Sequence, residues 1–489
     1  MSADRREDPT ERRRGRPAAA GRGAPMGVSA VARPEVAPPG PWSFPDAGTT
    51  ALPGGPTLLT YDLPGQYVVS IRVGLPIPPA VEPPEIEGVA TIMARTLDEG
   101  TAHHSAEQFA RLLERKGVSF GAGIGDSGLT MGLEVVKGNL EPALDLLRQI
   151  LTEPVFPEAE VARQMRTRLA EIDQERAVAA NRGLLELVHA FYAGSDRASR
   201  PVGGTRETVS AITREAVAAF HAEQVVASGA TLVVAGDLAG LDVPVLVGGA
   251  LGGWDTGSAR RPAVPPRPAA LAEDRCRIVV VDRPGSVQTE ILVAAPGPDR
   301  SVEGGWAPYP VLGFAIGGSP NARIDAVLRE EKGYTYGIRS GFRPHRSGGL
   351  FLTTGSVRAD ATVESLRLLV DLLASGGRGL TEPEVRSGVD FIGKTAPGRF
   401  ATADDVADEA ITMALDGRTT QFTTDNLRDL ATVERARAEA AFARFAREAG
   451  VDPDRPGAGW TIVLVGDAAE HVAGIEALGL GSVTVVRDR

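Results

Sequence analysis

Side chains able to bind a metal or attack a substrate are sparse in this chain. There is one cysteine, Cys276, and there are six histidines: His103, His104, His189, His221, His345 and His471. A single cysteine permits neither an intrachain disulfide nor a thiolate zinc cluster. The histidines form no HxxEH or HExxH pattern, the spacings that put two imidazoles on one face of a helix. His103 and His104 are adjacent, so their side chains diverge and are not expected to share a metal. "IGGSPNAR" and "AGIGDSG" have neither a P-loop lysine nor dinucleotide spacing and read as turns. No nucleophile-elbow motif marks a serine or cysteine triad. The strongest local signal is "IGGSPNARIDAVLREEKGYTYGIRSGF" (316–342). Gly317 and Gly318 punctuate a turn there, and Ile324, Val327 and Leu328 give a helix. Gly333 suits the helix C-cap, and a strand is expected to carry Tyr334, Tyr336 and Ile338.

The elements that must position these residues come in two similar sets. "LLERKGVSFGAGIGDSGLTMGLEV" (112–135) resembles "LREEKGYTYGIRSGFRPHRSGGLFLTTGSV" (328–357), and a Leu-rich helix follows each. "LTEPVFPEAEV" and "LTEPEV" then open a further helix, and "TLVVAGDL" and "TIVLVGDA" close the halves. Landmarks in the same order indicate a duplication. Each half opens on a strand. In "YVVSIRVGL" (67–75), Val69, Ile71, Val73 and Leu75 alternate with Ser70 and Arg72, the period of a half-buried strand. "TEILVAAPG" (289–297) holds the matching place. The expected fold class is α+β: two duplicated domains, each a mostly antiparallel sheet with helices on one face. Residues 1–50 read as a disordered tail, 51–255 as the first domain, 256–275 as a Pro/Ala/Arg-rich linker and 276–489 as the second domain.

The 489 residues carry a net charge of −11, which argues against a general nucleic-acid partner. No run of about 18 apolar residues is present, so no transmembrane helix is expected. The Arg-rich N-terminus lacks the apolar core of a signal peptide. The cytoplasm is the expected location, and the low cysteine content suits it.

The 316–342 segment resembles the helix-to-strand motif L-R-E-K-x-G-x-x-Y-x-x-x-S of the pitrilysin/insulinase-type (inverzincin) zinc metallopeptidases. Leu328, Arg329, Glu330, Gly333, Tyr336 and Ser340 match it, with Lys332 one place shifted. The resemblance covers about residues 57–489 and implies that the two domains form half of a clam-shell chamber. In that family the arginine and the tyrosine seven residues on donate hydrogen bonds to the bound peptide. Arg329 and Tyr336 occupy those places, and a guanidinium with a phenol suits a carbonyl that gains charge. The same family carries G-x-A-H-x-x-E-H before a Gly-Thr on a first-domain helix. "GVATIMARTLDEGT" (88–101) keeps that frame in Gly88, Ala90, Gly100 and Thr101, with Val89, Ile92, Met93 and Leu97 near helical spacing. Thr91, Ala94 and Arg95 replace the first histidine, the glutamate and the second histidine. The family's third ligand falls on Glu171, which stands as a relic or as a partner for Arg95. One carboxylate does not hold catalytic zinc, which takes three protein ligands and a water.

What the resemblance implies is therefore a non-catalytic subunit. It would bind no metal itself, pair with a homologous zinc-bearing chain, and present Arg329 and Tyr336 to unfolded peptide at that partner's zinc. The alternative is a scaffold or peptide-binding protein of the same fold with no part in proteolysis. A hydrolase with an unrecognised site of its own is a third reading.

Overall fold

A computed structural model of the chain describes residues 37, 40–254, 276–346 and 348–487. The first sheet is built from β1 (Gly48–Ala51), β2 (Thr57–Asp62), β3 (Val68–Leu75), β4 (Ser119–Gly125), β5 (Gly128–Val136) and β6 (Thr231–Gly236). Its order is β1-β2-β6-β3-β5-β4, antiparallel except at β2–β6. The second comprises β7 (Cys276–Asp282), β8 (Gln288–Gly297), β9 (Ile338–Pro344), β10 (Gly349–Arg358), β11 (Thr461–Gly466) and β12 (Gly481–Arg487). Its order is β12-β7-β11-β8-β10-β9, with β7 parallel to both β11 and β12. Set aside the outer strands β1 and β12, and the two orders coincide strand for strand.

The duplication extends to single hydrogen bonds. The Gly-Asp that ends β6 places Asp237 to accept the Gly65 N–H at 3.0 Å, and the Gly-Asp that ends β11 places Asp467 to accept the Gly285 N–H at 2.7 Å. Asp62 accepts from the Leu238 N–H, and Asp282 does the same for Ala468. In each half an aspartate satisfies a backbone donor where a strand runs out, which is why both segments end in that dipeptide.

One face of each sheet packs on its own half's helices in a large apolar core. The other face is covered by a helix from the opposite half. Helix Ala179–Phe191 lays Leu187, Ala190 and Phe191 on Val281, Leu292, Val463 and Val465 of the second sheet. Helix Ala403–Leu415 lays Val406, Ala407, Ala410 and Ile411 on Tyr61, Val233 and Ala235 of the first. This exchange corrects the reading of β3 as half-buried. Ser70 and Arg72 lie on its second face and are both buried, because the helix from the other half covers them. Arg72 is paired there with Glu134 and Asp408, each at 2.6 Å, and with Asp404. Arg72→Met should strand these carboxylates together and lower stability by about 2–4 kcal/mol in urea unfolding, the half-exposed aspartates softening the loss.

The expected tail is also shorter at its inner end. Phe44 is buried, Trp42 stacks on Phe400 at 5.4 Å, and β1 begins at Gly48. Aromatic burial orders these residues despite the Pro/Gly-rich composition around them. Residues 1–36, 38 and 39 and the expected linker lie outside the described residues.

His221 reports on the first core. Its Nε2 bonds the Leu151 carbonyl at 3.1 Å and its ring meets Phe156 edge-on at 5.3 Å. Burial pushes its pKa down from 6.5 to about 4. Between those values the unfolded chain holds a proton that the folded chain refuses. Stability should therefore fall as pH drops from 6.5 toward 4, by at most about 1.4 kcal/mol per pH unit, and the group contributes no slope above 6.5. Denaturant midpoints of wild type and His221→Gln across that window check this, the variant showing the shallower decline.

Candidate functional site

The frame residues of 88–101 each have an architectural task. Gly88 sits at φ 97° as N-cap of the site helix, Val89–Ala94, and a Cβ there would lie 2.8 Å from the Gly203 carbonyl oxygen. Only glycine meets both conditions. Buried Glu82 accepts from the Gly88 and Ala90 N–H groups, both at 3.0 Å, and is itself paired with Arg197 at 2.8 Å. Gly100 has φ 118°, and the Thr101 hydroxyl bonds Gln149 at 3.1 Å. The Arg95 N–H donates to the Thr91 carbonyl at 3.2 Å, so positions 91 and 95 are one helical turn apart.

The positions of the missing zinc motif face a cavity of about 310 Å³ lined by Thr91, Ala94, Arg95, Gly123, Arg168, Glu175 and Gly203, among others. Glu171, on the long helix Glu158–Ala177, does pair with Arg95: Nη1 and Nη2 each donate to one carboxylate oxygen at 2.9 Å. These hydrogen bonds, with the charges of Arg95 and Arg168, hold the Glu171 carboxyl below the usual carboxylate range. Arg168 approaches Glu171 at 3.3 Å, clamps Glu175 at 2.5 and 3.1 Å, and donates to the Gly203 carbonyl at 3.0 Å. Sequence reasoning found Glu171 by counting but missed Arg168 and Glu175, whose spacing on one helix face was the available signal.

Zinc does not fit this corner. Its single carboxylate at a ligand position is fully engaged by one guanidinium and touched by a second, so it is not free to serve a metal that needs three protein ligands. The histidines supply no replacement. His103 pairs with Glu153 at 3.2 Å while His104 bonds Gln149 at 3.1 Å, so the two rings serve different partners. Among the described residues no group of three or more His, Cys, Asp or Glu side chains could hold a metal ion.

In the second half, Arg329 lies in a wide π-type helical turn, Ala326–Glu331, a geometry that often marks functional sites. Its side chain is 41 % exposed, near Glu330 at 3.5 Å. Lys332 is the C-cap of the turn, and Gly333 after it takes φ 64° and donates its N–H to the Arg329 carbonyl at 3.1 Å. The expected strand starts later than the sequence suggested: 334–337 is irregular and β9 begins at Ile338. The Thr335 hydroxyl pins this segment, donating to the Ser356 carbonyl at 2.7 Å and accepting from the Gly337 N–H at 2.9 Å. Tyr336, freed from the sheet, stands 93 % exposed and fills no core. Asp325, fully buried, accepts from the Ile338 N–H at 3.1 Å and from Arg339 at 2.7 Å. It ties the turn bearing Arg329 to the strand after Tyr336, a role the sequence pattern did not reveal.

The comparisons with known proteins agree with this architecture. Residues 61–206 match the family model described as Insulinase (Peptidase family M16), and residues 211–389 match that described as Peptidase M16 inactive domain. An uncharacterized zinc protease of Mycobacterium bovis is 25% identical over 341 residues, 68% of this chain and 76% of that protein. A non-peptidase homolog of Helicobacter pylori is 23% identical over 319 residues, 64% of this chain and 72% of that one. A crystal structure of a peptidase M16 inactive domain from Pseudomonas fluorescens superposes with a TM-score of 0.77 at 22% identity, covering 86% of this chain and 98% of that one. The fold is thus the two-domain α+β clam shell of this group. The chain belongs to peptidase family M16, the pitrilysin/insulinase-type metallopeptidases, and within it is a non-catalytic type lacking the zinc-binding residues. No helix among the described residues is long and apolar enough to cross a membrane.

Proposed function

We propose that this chain is the peptide-holding subunit of a two-chain zinc endopeptidase, acting beside a homologous chain that carries the metal. One observation carries the reading. The zinc donors at 91, 94 and 95 are gone, while Arg329 and Tyr336 remain on a braced turn with the Tyr336 ring open to solvent. A scaffold needs no exposed tyrosine on a pinned, irregular segment. Arg329 and Tyr336 would donate to carbonyls of an unfolded peptide at the partner's zinc, and the zinc would supply the activated water. The chain's own residues would orient the peptide and take up charge on its carbonyl.

The zinc protease names of several relatives support membership in a peptidase system. The non-peptidase name of the Helicobacter pylori relative favours the second reading, a scaffold or peptide-binding protein. Mixing separates them. The purified chain should contain no stoichiometric zinc and cleave no unfolded peptide, and adding a homologous HxxEH-bearing chain should give a stable complex with peptidase activity above that of either chain. A complex without such activity would leave the scaffold reading. Activity and zinc in this chain alone would overturn both.

A further inference from the structure

The corner that lacks zinc is closed by its own side chains, and we infer that the Arg95–Glu171 fork is its cross-brace, holding the site helix to the long helix with no metal. The site helix is only six residues long, too short to be stable without tertiary ties. Its N-terminal end is fixed by Gly88 against Gly203 and by Glu82. Its C-terminal end is fixed by Arg95, whose two parallel bonds to Glu171 define both distance and plane. Arg168, its side chain 6 % exposed, completes the ring by joining Glu171 and Glu175 to the Gly203 carbonyl. Two arginines and two glutamates cancel, so no unpaired charge remains in the ring.

The second half shows the same corner braced differently. There helix Pro308–Gly313 and the turn Phe314–Gly318 meet helix Glu382–Arg399, and the rings of Phe314 and Phe391 touch with centroids 5.0 Å apart. Both halves thus brace this corner with side chains, an ionic fork in one and an aromatic pair in the other.

The test is a double-mutant cycle on the full chain: Arg95→Ala, Glu171→Ala and both together, followed by urea unfolding and amide exchange over 88–95. Each single variant should lower the folded-to-unfolded ratio about tenfold, with the double variant no worse than the worse single. Arg95→Lys keeps the charge without the fork and should lose most of the coupling. Exchange over 88–95 should quicken in both single variants, and a chelator should leave the wild-type midpoint unchanged. Additive single effects, full coupling in Arg95→Lys, or a midpoint that drops with chelator would each overturn the inference. If Arg95→Ala does not fold, the Arg95→Lys and Glu171→Gln cycle reads the same coupling.

Discussion

In the reconstituted two-chain enzyme, Arg329→Ala with Tyr336→Phe in this chain should lower kcat/KM for an unfolded peptide by roughly 10²–10³-fold. That is the scale for removing preorganised donors to a carbonyl that gains charge. The loss should fall mainly on kcat if the donors bind the carbonyl more strongly as its charge develops, and mainly on KM if they only hold the ground state. The variant should fold as the wild type does. Tyr336 is 93 % exposed and its hydroxyl makes no hydrogen bond among the described residues, so the phenylalanine substitution belongs to surface changes worth about 0.5 kcal/mol or less. Complex formation by size-exclusion chromatography and the thermal midpoint are the controls. Undiminished activity in an intact mutant complex would remove the assigned role from both residues. Asp325 gives an independent check. Asp325→Ala keeps Arg329 and Tyr336 but frees their mounting, removing the carboxylate that the Ile338 N–H and the Arg339 guanidinium share and leaving Arg339 only its bond to the Ile338 carbonyl. It should therefore lower both stability and activity, whereas the double variant lowers activity alone.

Much of this architecture was legible because it repeats. Gly-Asp at two strand ends, Lys-Gly before two hairpins and a Leu-rich helix after each gave the duplication, and the shared strand order bears it out. What periodicity could not show was which half covers which sheet. Alternation in β3 reads Ser70 and Arg72 as solvent-facing, since a strand of one domain carries no sign of a helix some 330 residues later. The ion pairs from Arg72 to Asp404 and Asp408 exist only after both halves have formed. The start of β9 was missed for a local reason. Tyr334 and Tyr336 suit a strand, but Thr335 bonds the backbone on both sides and holds the segment out of the ladder. The frame around the missing zinc motif was legible because its residues are architectural. Gly88 is fixed by positive φ and the Gly203 carbonyl, Ala90 by its burial in the first core, and Thr101 by Gln149. Positions 91, 94 and 95 have ordinary right-handed helical backbone that any of these side chains adopts, so chemistry could go while the frame stayed.

That separation leads to the second large effect. Thr91→His, Ala94→Glu and Arg95→His together should turn a chain without zinc into one that retains about one equivalent after dialysis. Positions 91 and 95 are already one helical turn apart, so two imidazoles there would lie on one face. Glu171 already reaches the residue 95 side chain, and removing Arg95 releases its carboxylate from the fork, leaving only the 3.3 Å contact with Arg168 to compete with a third-ligand role. The remaining opposing charge is Arg168, which Glu175 holds through two bonds. Adding Glu171→Ala to the triple variant should weaken zinc binding by at least 10-fold, because two histidines alone leave the site below the usual three protein ligands. Zinc retention should also fall as pH drops through the imidazole range near 6.5, since ligating histidines must be neutral. Metal analysis by inductively coupled plasma mass spectrometry, against wild type prepared in parallel, reads all three outcomes. Retention no higher than wild type would mean that the corner has drifted from ligand geometry, and that the Arg95–Glu171 fork reset the spacing of the two helices instead of inheriting it.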